Sequence, residues 1–188
     1  MKKLSILLAV LLISVSTFAQ KWNADKAHSK VGFTVTHLML SEVDGNFKKF
    51  DASIISEKED FSDAVFEFTA DVNSVETGNE MRNGHLQKAD MFDVEKYPTI
   101  SFKSTSITKL EGKKYKLVGN LTMKGVTKPA TFNLTLNGMG KNQKTQKPIA
   151  GFKLTGVVKR TDFGIGGMPF AVVSEDIEIR AVGEFGKE

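Results

Sequence analysis

The sequence has no cysteine among its 188 residues. Disulfides, thiolate nucleophiles and cysteine metal sites are therefore excluded, as is anchoring through a lipidated cysteine. Tyrosine and tryptophan are scarce, with two and one residues. A membrane-spanning β-barrel carries girdles of such side chains at both interfaces, and this sequence cannot supply them. The three histidines are His28, His37 and His85. No two of them stand at the i, i+2 or i, i+4 spacing of a metal-ligand pair, so no metal site is expected. Charge of one sign is lacking too: 26 Lys and Arg against 22 Asp and Glu give a formal net charge of +4. The excess is small and scattered, which argues against a nucleic-acid partner. There is no Gly-x-Ser-x-Gly nucleophile elbow and no phosphate-binding glycine loop leading into a helix.

A single long apolar run occurs, from Leu4 to Ser16. It is too short for a membrane span, follows the basic pair Lys2-Lys3, and leads into Thr17-Phe18-Ala19, with small residues where a signal peptidase reads. Residues 1–19 are expected to be a signal peptide cleaved near Ala19. Residues 20–188 are then one domain, exported to the periplasm or secreted.

What the sequence does have is phenylalanine, 14 residues of it, together with short segments of period-two alternation. Val31, Phe33 and Val35 form the first, and Phe50, Ala52 and Ile54 the second, after an expected turn at Asp44-Gly45. Phe66/Phe68/Ala70/Val72, Ile100/Phe102/Ser104 and Tyr115/Leu117/Gly119/Leu121/Met123 continue the series. Phe132/Leu134/Leu136, Phe152/Leu154/Gly156/Val158 and Ile177/Ile179/Ala181 complete it. About eight strands with one apolar face predict an all-β fold, an eight-stranded antiparallel barrel, because closure removes exposed edges. A β-sandwich is the alternative. Ser104, Gly119 and Gly156 on the apolar face suit a tapered interior. Asn79 to Phe92 breaks the alternation and predicts a short helical insertion, with Asn79 and Asn83 as caps and Met81, Leu86 and Ala89 at helical spacing. Tyr97-Pro98 then imposes extended backbone and launches the next strand. Gly125 suits a tight hairpin, and Pro129 a strand start.

The polar candidates are few. Asp25, His28 and Ser29 hold an acid, an imidazole and a hydroxyl within five residues. Groups so close at the start of a strand rarely converge into a triad, and a local hydrogen bond is the simpler expectation. His37 falls in the apolar register of its strand, as a core polar residue or a group facing a ligand. Arg82 can pair with Asp90 or Asp93, or sit over the barrel opening. Arg160 to Gly167 reads as a strand end entering a mobile glycine loop.

These residues, in order, carry a resemblance over nearly all of the region after the leader. Asp25/His28-Ser29, Phe33-x-Val35-x-His37, Gly45-x-Phe47, Ser74-Val75-x-Thr77-Gly78 and Arg82-x-x-His85-Leu86 are followed by Asp90-x-Phe92 and Tyr97-Pro98. Gly119-x-Leu121-Thr122-x-x-Gly125-Val126-Thr127-Lys128-Pro129 and Arg160-x-Asp162-Phe163-Gly164 complete the set. The chain resembles the YceI-like family of exported, lipocalin-like, polyisoprenoid-binding proteins. The resemblance implies an eight-stranded barrel with helical insertions, enclosing a long tunnel for a polyisoprenoid, an isoprenoid quinone or a fatty-acid-derived amide. It implies binding and carriage or storage of that lipid, with no covalent chemistry and no catalytic cofactor. The tail would lie against Phe33, Val35, Phe47, Phe66, Phe68, Phe102 and Leu117, and against Leu121, Phe132, Leu134, Phe152, Leu154 and Phe163. The head would meet His37, Arg82 and His85. Transient membrane contact for ligand exchange and a homodimer are the further partner expectations. The rival readings are a periplasmic hydrolase and a ligand-free stress-response or interaction module.

Overall fold

The computed structural model describes residues 19–188. The expected leader, up to residue 18, lies outside the described residues. Eleven strands follow: β1 Gln20–Ala24, β2 Lys30–His37, β3 Ser41–Phe47, β4 Phe50–Ser56, β5 Val65–Asp71, β6 Val75–Glu76, β7 Thr99–Lys109, β8 Lys114–Met123, β9 Val126–Lys141, β10 Pro148–Lys159 and β11 Asp176–Lys187. One α-helix, α1, spans Glu80–Leu86. The antiparallel order β1-β4-β5-β7-β8-β9-β10-β11 closes on itself because β1 pairs back to β11. The result is a closed eight-stranded antiparallel barrel, as the alternation predicts. Strands β2, β3 and β6 continue the wall beyond the point where β1 and β4 end. Strand β11 pairs with β1 through Ala24↔Phe185 and with β2 from Lys30↔Val182 onward.

Burial follows the period-two pattern and decides which face is inside. Tyr115, Leu117, Leu121 and Met123 of β8 are buried, as are Ala130, Phe132, Leu134 and Leu136 of β9, while Lys114, Lys116, Asn120 and Asn133 face solvent. The phenylalanine side is therefore the interior, and the outward face is polar. Two interior glycines serve as seats for aromatic rings. A Cβ at Gly119 would stand 2.5 Å from the Phe102 ring, and one at Gly156 2.5 Å from that of Phe132. The two rings meet edge-to-face at 5.3 Å, a favourable arrangement of their quadrupoles. Ser104 is buried because its hydroxyl accepts the Phe66 amide at 2.9 Å. It does so where β7 bulges between Ser104 and Ser106.

The structure corrects several expectations. Asp44-Gly45 is not a turn: both lie within β3, paired with Thr34 and Phe33. Gly45 is needed there because the Phe33 ring lies across it, 2.2 Å from where a Cβ would be. The turn is Leu38-Met39-Leu40, with Leu38 and Met39 at φ 51° and 57°. That left-handed backbone costs a side-chain-bearing residue roughly 1–2 kcal/mol. Strand β1 carries no alternation that marks it in the sequence; a turn of 3-10 helix at Lys26–His28 separates it from β2. Pro129 is not at a strand start but inside β9. It pairs with Asn120 of β8 where β9 has already parted from β10, so its missing N–H breaks no ladder there. Gly125 does form the hairpin, at φ 74° beside the Tyr97 ring.

One end of the barrel is sealed. Phe61 is fully buried, 5.2 Å from Trp22 and 5.0 Å from Phe152 between ring centroids. Asp63 holds the loop that carries it, accepting from the Ser56 hydroxyl and from the amides of Glu57 and Lys58. The Tyr115 hydroxyl donates to the Asp60 carbonyl. The opposite end carries the α1 segment, the Leu38–Leu40 turn and residues 160–175.

Candidate functional site: an apolar cavity with a polar margin

Above the Phe61 plug the barrel encloses a cavity of about 410 Å³. Its wall is built from inward positions of β2, β5, β7, β8, β9, β10 and β11, with Phe47 of β3 and Phe50 and Ala52 of β4. Of the residues expected against a tail, Phe33, Val35, Phe47, Phe66, Phe68 and Phe102 line it, as do Leu117, Leu121, Phe132, Leu134, Phe152 and Leu154. Phe163 does not. It is buried, 2 % exposed, but lies outside the cavity wall. It belongs to a 3-10 turn, Arg160–Phe163, where strand alternation no longer sets direction. Met91, Phe92, Ile165, Met168, Val172 and Val173 also contribute. They lie in irregular segments, so no periodicity marks them in the sequence.

His37, Arg82 and His85 all reach the cavity wall. They differ in what surrounds them. His37 is half-buried at the end of β2, where Val173 bridges to its backbone. His85 is exposed, with Nε2 3.4 Å from the Asp90 carboxylate. Arg82 pairs with neither Asp90 nor Asp93. Its Nε donates to the Thr77 hydroxyl at 2.9 Å and its Nη2 to the Thr77 carbonyl at 2.8 Å. The reason is a polar knot beneath α1. The Thr77 hydroxyl donates to Asn83 Oδ1 at 2.7 Å, and Asn83 Nδ2 donates to Glu76 at 3.1 Å. Glu76 also accepts from Lys48 Nζ and the Gly78 amide, each at 2.7 Å. The Lys48 ion pair, then Asn83 and Gly78, hold the Glu76 carboxyl at a pKa of about 2. Asn79 caps α1 through the Arg82 amide, as expected. Asn83 is no cap but the hub of this knot. Met81, expected on the helix's packed side, is 84 % exposed.

Arg160, which in the sequence reads only as a strand end, organises the glycine loop expected to be mobile. It is 3 % exposed. Its Nε donates to the Ser174 carbonyl, Nη1 to those of Ile165 and Gly166, and Nη2 to those of Met168 and Val173. All five guanidinium N–H groups are thereby used. Arg160 reaches the cavity wall but has no donor left for a ligand, whereas Arg82 retains N–H groups without a partner among the described residues.

Asp25 and His28 form the expected local hydrogen bond, 2.8 Å from Oδ2 to Nδ1. It raises the His28 pKa and lowers that of Asp25. Glu184 of β11 joins them, with one potential ligating atom from each within 4.8 Å, all three exposed. The Ser29 hydroxyl is buried without a hydrogen-bond partner, His28 included, so no serine triad is assembled.

The family model of the YceI-like domain matches residues 22–185. The chain belongs to the YceI-like family. A UPF0312 protein of Staphylococcus aureus strain N315 is 34% identical over 169 residues, covering 86% of this chain and 94% of that protein. Among solved structures, the YceI protein of Campylobacter jejuni is 35% identical with a TM-score of 0.74, covering 87% of this chain and 96% of that one. BcnA of Burkholderia cenocepacia is 27% identical with a TM-score of 0.76, covering 86% and 98%. A polyisoprenoid-binding domain from Saccharophagus degradans shares the fold at 13% identity, with a TM-score of 0.64 over 91% and 100% of the two chains.

Proposed function

We propose that this YceI-like barrel binds a long-chain apolar lipid, such as a polyisoprenoid, an isoprenoid quinone or a fatty-acid-derived amide, and carries or stores it without chemical change. The observation that carries the reading is the cavity: about 410 Å³ of space walled by Phe, Leu, Val and Met from nearly every strand. A ligand-free module has no use for such a void, since an empty apolar space forfeits dispersion contacts on its whole lining. Burial of a methylene is worth about 0.8 kcal/mol, and association costs about 4–15 kcal/mol. Tails of twenty or more carbons therefore bind, and short ones do not. Tail length dominates affinity, while Arg82, His37 and His85 orient the head. The setting is the periplasm or the exterior, where such a tail is insoluble, and exchange takes place with a membrane. The hydrolase reading finds less support, because the Ser29 hydroxyl makes no hydrogen bond to a base.

The test is organic extraction of protein purified from its own host, followed by mass spectrometry. A co-purifying lipid with a long apolar tail is expected, and repeated recovery of empty protein would defeat the reading. In a retention assay, Phe102→Asp or Phe132→Asp should lose the lipid far more completely than Arg82→Ala. The reverse order would mean that the head governs binding.

A further inference from the structure

The cavity lining reaches the end of the barrel opposite the Phe61 plug, and that end carries apolar side chains which nothing among the described residues covers. Leu38, Met39 and Leu40 in the β2–β3 turn are 48 %, 76 % and 86 % exposed, and Phe170 is 58 % exposed. Turn and loop form one unit. The Leu38 amide donates to the Val172 carbonyl at 3.0 Å, and the Ser174 amide to the Thr36 carbonyl at 2.9 Å. Arg160 fixes the loop from beneath, with Cζ 5.9 Å from the centre of the Phe170 ring.

We infer that this tip is a bilayer-docking surface, through which the barrel rests on a membrane with its cavity facing the lipid. The inference rests on the carrier reading for its purpose, but its geometry is independent of any cargo. Three observations select a bilayer as the occupant. The two segments are uncharged: residues 38–41 (LMLS) and 164–174 (GIGGMPFAVVS) contain no Asp, Glu, Lys or Arg, in a chain that is 26% charged. Only uncharged segments enter the acyl boundary cheaply. The patch is a projecting turn with a neighbouring loop, and its four exposed side chains fall far short of the roughly 20–30 residues a side that a stable dimer uses. Finally, the residues next to the tip, His37, Val172 and Val173, themselves line the cavity, so a lipid leaving the bilayer there meets the apolar wall directly. The left-handed backbone of Leu38 and Met39 is better suited to Asn or Gly, so these positions carry apolar side chains at a conformational cost.

The experiment is flotation of the intact protein with vesicles of equal parts phosphatidylcholine and phosphatidylethanolamine, with the retained lipid measured by mass spectrometry. The wild type should float with the vesicles. The two segments carry no Lys or Arg, and Lys124 beside them is engaged by the Gly164 carbonyl, so flotation should change little with salt. The triple variant Met39→Asn, Leu40→Asp, Phe170→Ser should lose at least about tenfold in partitioning. All three positions are exposed, and Asn is favoured in the backbone of residue 39, so the melting temperature should hold. Leu110→Ser and Met139→Ser, which remove exposed apolar side chains near the plugged end, should float like the wild type. Equal flotation of the triple variant and the wild type would overturn the inference, as would failure of the wild type to float. A concentration-dependent dimer dissolved by the triple substitution would likewise overturn it, assigning the patch to a second copy. Cargo without tip-dependent flotation would leave the carrier reading standing and sink the docking surface. Tip-dependent flotation of persistently empty protein would do the opposite.

Discussion

The contrast between Gly119 and Gly138 shows how far a single residue's surroundings determine its role. Both lie in strands with ordinary backbone angles. At Gly119 an added methyl would stand 2.4 Å from the Lys103 carbonyl oxygen and 2.5 Å from the Phe102 ring; at Gly138 it would meet nothing within 4 Å. Gly119→Ala should therefore destabilise by about 1–3 kcal/mol through overpacking. Gly138→Ala should be neutral or mildly stabilising, since it removes only the entropy cost of glycine. Paired urea denaturation curves check both; equal effects would mean that Phe102 does not rest on Gly119. Arg160 is a second such case. Replacing it by Met keeps much of the apolar stem and orphans five carbonyls, at roughly 1–3 kcal/mol for each that water cannot reach. The expected outcome is a large loss of stability with early proteolysis within residues 164–174, read by limited digestion.

At the scale of the element, α1 is too short to be stable alone, with seven residues against the dozen or more an isolated helix needs. The knot of Glu76, Thr77, Arg82 and Asn83 holds it. The Glu76 carboxyl has its folded pKa depressed to about 2 from an ordinary 4.5. Its contribution is therefore complete above about pH 4.5 and is lost as pH falls toward 2. Hydrogen exchange of the α1 amides, corrected for intrinsic rates, should lose protection over that interval, while the core of β8 and β9 keeps its own. Glu76→Gln should flatten the dependence. An α1 protection profile unchanged down to pH 2 would show that the knot is not what holds the helix.

At the scale of the molecule, the barrel is divided into a packed end and an open remainder. The Phe61 plug sets the boundary, and the Leu38–Leu40 tip marks the far end. Phe61→Ala should cost about 3–5 kcal/mol, the usual loss for a fully buried Phe, measurable by chemical denaturation. It should also lengthen the cavity toward Trp22, so that longer tails are retained by mass spectrometry. An unchanged length profile would mean that neighbouring side chains close over the gap.

The amino-acid sequence by itself determined the all-β architecture and the division of each long strand into an apolar and a polar face; of the thirteen apolar positions expected against a tail, twelve line the cavity. The architecture and the faces follow from period-two alternation, which is local, and the expected tail positions from the family resemblance together with it. The resemblance named His37, Arg82 and His85 as candidates for the head, and all three reach the wall. Only the tertiary structure decided that β1 closes the barrel, since its partner β11 lies some 160 residues away, Trp22 beside Lys187. Only there does Gly45 become a seat for Phe33 rather than a turn, Phe163 point away from the cavity, and Arg160 turn from a strand end into the clamp of a loop. Each of these depends on backbone leaving regular alternation or on contacts between distant segments, and neither leaves a periodic trace in the chain.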